Sequence, residues 1–167
     1  VFDGVSFVPL ASFFAYDDNF SGGVNIACGD IDGDGIQEVI TAPGVGGGPH
    51  VRAFNAFGQP KADFLLGDPD SRKGTLVSIA DVLNFDGVND IVALTGRTMI
   101  VANTKGEWVS GFEVTDGQGE PTSLGTGYLI SQLVPQIIVS SGRETQIWDA
   151  HPLFPDGRLV NERTLES

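Results

Sequence analysis

The strongest constraint on this chain is that it repeats. Gly35-Ile36-Gln37-Glu38-Val39-Ile40 returns as Gly87-Val88-Asn89-Asp90-Ile91-Val92, and a third, faded copy reads Val134-Pro135-Gln136-Ile137-Ile138-Val139. A short β-like stretch follows each copy: His50 to Asn55, Thr98 to Asn103 and Thr145 to Ala150. Each stretch leads to a turn, at Gly58, Gly106 and Gly157, and then to another strand-like run: Lys61 to Leu66, Trp108 to Val114 and Arg158 to Leu165. The opening stretch Ser12-Phe13-Phe14-Ala15-Tyr16 matches that last type. The unit is therefore about four strands over roughly 50 residues. No segment with a helical period is long enough to compete. The prediction is an all-β domain over residues 1–167, with approximate repeats 12–58, 61–106 and 108–157 and a trailing strand 158–165.

The joint between the first two strands of the first repeat is unusual. Asp30, Asp32 and Asp34 alternate, Gly35 follows, and Glu38 closes the run. So many carboxylates in so short a loop repel one another unless a cation sits among them. Ca²⁺ accepts six to eight oxygen ligands in a flexible shell, and Gly35 permits the sharp turn that wraps it. The bland alternative is a solvated acidic turn, since Asp and Gly are ordinary turn residues; strict alternation argues against it. The loop is not an EF-hand, because position twelve counted from Asp30 is Thr41 and the flanks favour strands. The predicted ligands are Asp30, Asp32, Asp34 and Glu38 through side chains and Ile36 through its backbone carbonyl.

The second loop keeps part of the pattern. Asn84, Asp86 and Asp90 have the spacing of Asp32, Asp34 and Glu38, with Val88 in the place of Ile36. The first ligand position falls on Val82, and Asp81 stands one residue early. This loop is either a weaker calcium site, with Asp81 reaching across a one-residue insertion, or a turn that has lost its metal. The third, Ser131 to Gln136, carries no carboxylate, so apolar residues are expected to hold it.

Gly22-Gly23-Val24-Asn25-Ile26-Ala27-Cys28-Gly29, the acidic loop, and Val39-Ile40-Thr41-Ala42-Pro43-Gly44 together resemble an FG-GAP repeat, the integrin-alpha-type β-propeller repeat also common in bacterial secreted proteins. Gly46-Gly47-Gly48-Pro49-His50-Val51-Arg52-Ala53-Phe54 resembles the strand that follows in bacterial versions. The likeness is strong over residues 12 to 58 and weakens afterwards; Thr41-Ala42-Pro43 stands where Gly-Ala-Pro is typical. It implies propeller-type blades of about four antiparallel strands, with protein or glycan bound by loops on one face. Three such blades are fewer than the roughly four a closed propeller needs. The array is then incomplete, or completed by a partner or by further chain.

Composition agrees and excludes. Gly 23 and Pro 9, with 19% charged residues, suit short strands and turns. A net charge of −13 argues against nucleic acid, whose phosphates need Lys and Arg. No apolar run reaches the ~18 residues of a membrane span. The chain begins at Val1, which reads as a processed or excised mature segment. Cys28, the only cysteine, is expected as a small buried hydrophobe. Calcium sites of millimolar affinity belong outside the cell, which points to a secreted or cell-surface location.

The remaining candidates are weaker. His50 and His151 read as strand-end residues rather than a catalytic or zinc pair, and Gly44 to Pro49 as a wide loop rather than a phosphate cradle. Asn19-Phe20-Ser21 has the N-glycosylation pattern. Phe13, Phe14, Phe54, Phe64 and Trp148 are expected as core between blades. No nucleophile, base and orienting group can be picked out. The leading functional expectation is a non-catalytic, calcium-stabilised extracellular module for adhesion or self-assembly. The alternative is a substrate-binding accessory domain of a secreted hydrolase or lyase. Val1-Phe2-Asp3-Gly4 resembles a strand end, and Arg158 to Leu165 looks surplus, so a ring or head-to-tail filament of copies is the expected assembly.

Overall fold

A computed structural model describes residues 1–114, 119–129, 134–142, 144–149 and 163–165. The described residues form twelve strands and no helix. The first sheet holds β1 (Val24–Gly29), β2 (Glu38–Pro43), β3 (His50–Phe54) and β4 (Pro60–Leu65). The second holds β5 (Thr75–Ala80), β6 (Asp90–Thr95), β7 (Thr98–Ala102) and β8 (Trp108–Glu113). The third holds β9 (Pro121–Gly127), β10 (Gln136–Ser141), β11 (Glu144–Asp149) and β12 (Arg163–Leu165). Each sheet is an antiparallel meander in sequence order, and the sheets do not close into a barrel. These are propeller-type blades, as the repeat predicts. Arg163–Leu165 pairs with β11 as the fourth strand of the third sheet, so it is not surplus.

The blades stack through their first strands, β1 on β5 and β5 on β9. Alternation then sets the two cores. Ile40, Ala42, Val51, Ala53 and Phe64 of the first blade meet Val77, Ile91, Ala93, Ile100 and Ala102 of the second. On the opposite face of that blade, Val92, Leu94, Met99 and Val101 meet Ile137, Val139 and Trp148 of the third. Burying each valine, isoleucine, leucine or methionine among them contributes about 1.5–3 kcal/mol, and each alanine less. β6 serves both cores and is buried along its whole length, which is why Ile91-Val92-Ala93-Leu94 is a continuous apolar run.

The turns repeat in chemistry as well as place. Asn55 Oδ1 accepts from the amides of Phe57 and Gln59, both at 3.0 Å. Asn103 Oδ1 accepts from Lys105 and Glu107, again both at 3.0 Å. The expected third turn, Gly157, lies outside the described residues, as does His151.

Several expectations are corrected. Ser12 to Tyr16 forms no strand; it belongs to an arm that crosses the far face of the first blade. There Phe13 packs on Phe54 with ring centroids 4.9 Å apart, and Tyr16 Oη donates to the carbonyl of His50 at 2.7 Å. Arg52 donates to the carbonyl of Ala15 on the same arm. Phe14 is 78% exposed rather than core; Phe64 and Trp148 are buried in the cores between blades as expected, whereas Phe54 is buried against the arm rather than between blades. Cys28 is exposed rather than buried. It alternates with Val24 and Ile26 on the face of β1 turned away from the second blade, which the arm leaves bare. Val1 to Gly4 does not continue a sheet; Phe2 bridges to Pro9 within a local loop.

Candidate metal centre

The first loop is built by its own acids. Asp30 accepts backbone hydrogen bonds from Gly33 at 2.6 Å and Gly35 at 2.8 Å, one on each carboxylate oxygen. Asp34 accepts from Ile36 at 2.8 Å. Gly35 has φ 83°, a left-handed conformation that costs glycine nothing. Glu38, 1% exposed, opens β2 and accepts from the amide of Ile31 across the loop at 3.2 Å. Asp30, Asp32 and Glu38 each bring a carboxylate oxygen within 4.8 Å of the others. Asp34 stands outside that set, and Ile36 is exposed.

A lysine from another strand joins these acids. Lys61 Nζ lies 2.7 Å from Asp32, 3.3 Å from Asp34 and 3.5 Å from Glu38. Its place has a backbone cause. Ala53 pairs with Ala62 but Phe54 pairs with Pro60, so Lys61 is the extra residue of a β-bulge. A bulge re-aims the side chain it carries, and here the lysine points at the loop of its own blade. The Asp32 carboxylate holds the ammonium above the usual lysine value, and Lys61 in turn holds Asp32 below the usual carboxylate range. Converging carboxylates that already hold a cationic group are a donor set that fits calcium.

The second loop uses the same scaffold with different balance. Asp90 takes the register place of Glu38, since Gly29 pairs with Glu38 and Ala80 with Asp90. It accepts from Val82 and Leu83, both at 2.9 Å. Asp81 accepts from Gly87 at 2.7 Å as Asp30 does from Gly35, so the insertion lets it span one more residue. Asp86 accepts from Val88 at 2.9 Å and from the Asn84 side chain at 2.7 Å. Here the position matching Lys61 is Val109, the extra residue between the pairs Val101–Ser110 and Ala102–Trp108. Burial pushes the Asp90 carboxyl up to about 6, and Asp81 and Asp86 add to the rise. Asp81 Oδ1 is buried with no hydrogen-bond partner. That orphaned oxygen has the chemistry of a cation ligand, although Asp81, Asp86 and Asp90 do not converge as the first set does.

The third loop lies partly outside the described residues, but its closing side chain is visible. Gln136 takes the register place of Glu38 and Asp90, opposite Gly127. Its Oε1 accepts from Leu129 at 2.7 Å and its Nε2 donates to the carbonyl of Val134 at 2.8 Å. A polar bridge therefore holds this turn where apolar packing was expected. The amide supplies both an acceptor and a donor, so no cation is needed.

The first two loops also touch each other. The backbone and side-chain nitrogens of Asn89 donate to the carbonyl of Asp30, at 2.9 and 3.1 Å. Gly29 sits tight beside this seam: a Cβ there would lie 2.3 Å from Ile79 Cδ1, so the Ile79 side chain would have to turn aside. Elsewhere, His50 pairs with Asp63 across its own sheet. The Gly44 to Pro49 loop is tied to the β4–β5 connection, with Gly46 donating to Arg72 at 2.9 Å. Asn19 is exposed, and its side chain donates to Asp17 and Asp18.

No family model matches the sequence, and no curated protein resembles it. The structure is similar to BBS1N as seen in its lead-soaked crystal with ARL6DN, with a TM-score of 0.51 at 14% identity over 87% of this chain and 43% of that one. It is also similar to a protein of unknown function from Bacteroides caccae, with a TM-score of 0.49 at 13% identity over 87% of this chain and 47% of that one. A third neighbour is the V. cholerae biofilm matrix protein Bap1, with a TM-score of 0.39 at 15% identity over 83% of this chain and 28% of that one. The chain spans less than half the length of each. At such identities the likeness concerns the fold alone, which is β-propeller-like.

Proposed function

We propose that this chain is a non-catalytic, calcium-stabilised propeller module of the FG-GAP type. It works outside the cell in adhesion or self-assembly, through protein or glycan binding. The observation that carries the reading is the convergence of Asp30, Asp32 and Glu38 in a strand-loop-strand joint. Bound there, calcium would cancel carboxylate repulsion and fix the loop; Asp30, Asp32 and Glu38 would hold it, with Asp34 beside them. Two apolar surfaces support association: Val24, Ile26 and Cys28 on β1, and Phe2, Val5 and Phe7 in the N-terminal loop, all exposed. Contiguous apolar surface of this kind marks interaction sites.

Calorimetry of the chelator-stripped protein with calcium tests the reading, paired with thermal unfolding in calcium and in EDTA. A ligand that binds only the folded state stabilises it by about 2.7 kcal/mol at a hundredfold excess over Kd. Asp32→Asn should lose most of that gain and change little in EDTA. Equal losses in both buffers would count against a metal. Light scattering at micromolar concentration with calcium tests assembly, and a stable monomer at all concentrations would remove that part of the reading.

A further inference from the structure

We propose that Lys61 is a tethered cation competing with the divalent ion for the first loop, so that this one side chain sets the metal concentration at which the loop is occupied. The inference rests on the calcium reading above. Its ground is geometric. The ammonium reaches three of the predicted ligands at 2.7, 3.3 and 3.5 Å. It comes from β4, outside the loop, and a β-bulge places it there.

The three blades make the comparison internally. At the register place that closes the loop, the first blade has a buried glutamate with a lysine beside it. The third has a glutamine that bridges the turn through its amide. The second has aspartate, with Val109 at the bulge and an orphaned Asp81 oxygen. A charge-compensating group is thus present in the first blade, and among the described residues no ion pair joins the acids of the second loop.

A divalent ion and an ammonium compete for these carboxylates. Calcium needs ligand oxygens at ~2.3–2.6 Å, and a second cation a few ångströms away would repel it. The lysine is 32% exposed on a flexible four-carbon stem, so it can swing into solvent when the ion enters. The device then works in both directions. Without metal the loop keeps a counter-charge and its fold; with metal the lysine is released at the blade edge.

The test is calcium titration of wild type, Lys61→Met and Lys61→Arg by calorimetry, with the Lys61 ε-methylene NMR signal followed in wild type. Competition predicts that Lys61→Met binds roughly two- to fivefold more tightly, while Lys61→Arg stays close to wild type. It also predicts that the ε-methylene signal moves to the position of a solvated lysine as calcium is added. Binding by Lys61→Met alone would equally support competition. Wild-type binding with no gain in Lys61→Met, or with an unmoved lysine signal, would overturn the inference and leave the calcium reading intact. Failure of all three proteins to bind calcium would overturn both. Circular dichroism in EDTA checks that each variant is folded.

Discussion

Single residues at one register place decide how each blade closes its first turn. Gln136 is 1% exposed and uses its amide in both directions. Gln136→Glu would turn the donor to Val134 into a second acceptor and bury a charge. It should cost about 1–3 kcal/mol in chemical unfolding at neutral pH, with a smaller loss at pH 4, where the new carboxyl can take a proton. Tyr16 offers a second test. Its hydroxyl donates towards Thr41 and His50 carbonyls at 2.9 and 2.7 Å, and burial pushes its pKa up to about 12 from 10.0. A group whose folded pKa is raised binds more protons when folded, so its contribution is complete below pH 10 and is lost as pH rises towards 12. Tyr16→Phe should cost about 1–2 kcal/mol at pH 7, and alkaline titration of its stability should be flatter than wild type between pH 10 and 12. Neither role could be read from the sequence. Gln136 stood in a copy too faded to compare side chains, and Tyr16 lay in a stretch taken for a strand.

At the scale of elements, the regular parts were legible. Apolar runs marked β2, β6 and β10, and the glycines at 58 and 106 marked turns that the preceding asparagines do close. Alternation correctly separates the faces of β1, but it cannot say whether a neighbour covers a face. Cys28 therefore looks like core and is exposed; Phe14 lies in the arm, where no strand fixes its face, and is exposed too. The bulge at Lys61 was illegible for another reason: pairing register is a two-strand property, and one extra residue moves a side chain to the other face. The seam between loops is a similar two-element feature. Asn89→Ala would remove the side-chain bond to the Asp30 carbonyl, at a cost of about 1 kcal/mol. Its backbone bond remains, so the fold should persist. If the first loop takes calcium, the variant should bind it more weakly, because the carbonyl belongs to the residue whose carboxylate wraps the turn. Calcium calorimetry on this variant checks that outcome.

For the whole molecule, the arrangement is a stack in which the middle blade has a neighbour on both faces. β6 is buried from Asp90 to Thr95, and its two sides belong to different cores. Such arrays approximate a sum of unit and nearest-neighbour energies. Removing either outer blade would still leave β6 covered on one side; removing the middle one would dissolve both cores. Amide exchange should therefore be slowest at Ile91 to Leu94 and faster in β1, whose Val24 and Ile26 face solvent. Uniform exchange across the sheets would show an all-or-none unit instead. The same burial gives the array a direction of failure: it comes apart from its ends inward, so the second acidic loop, which leads into β6, would keep its shape longer than the first, which belongs to an outer blade.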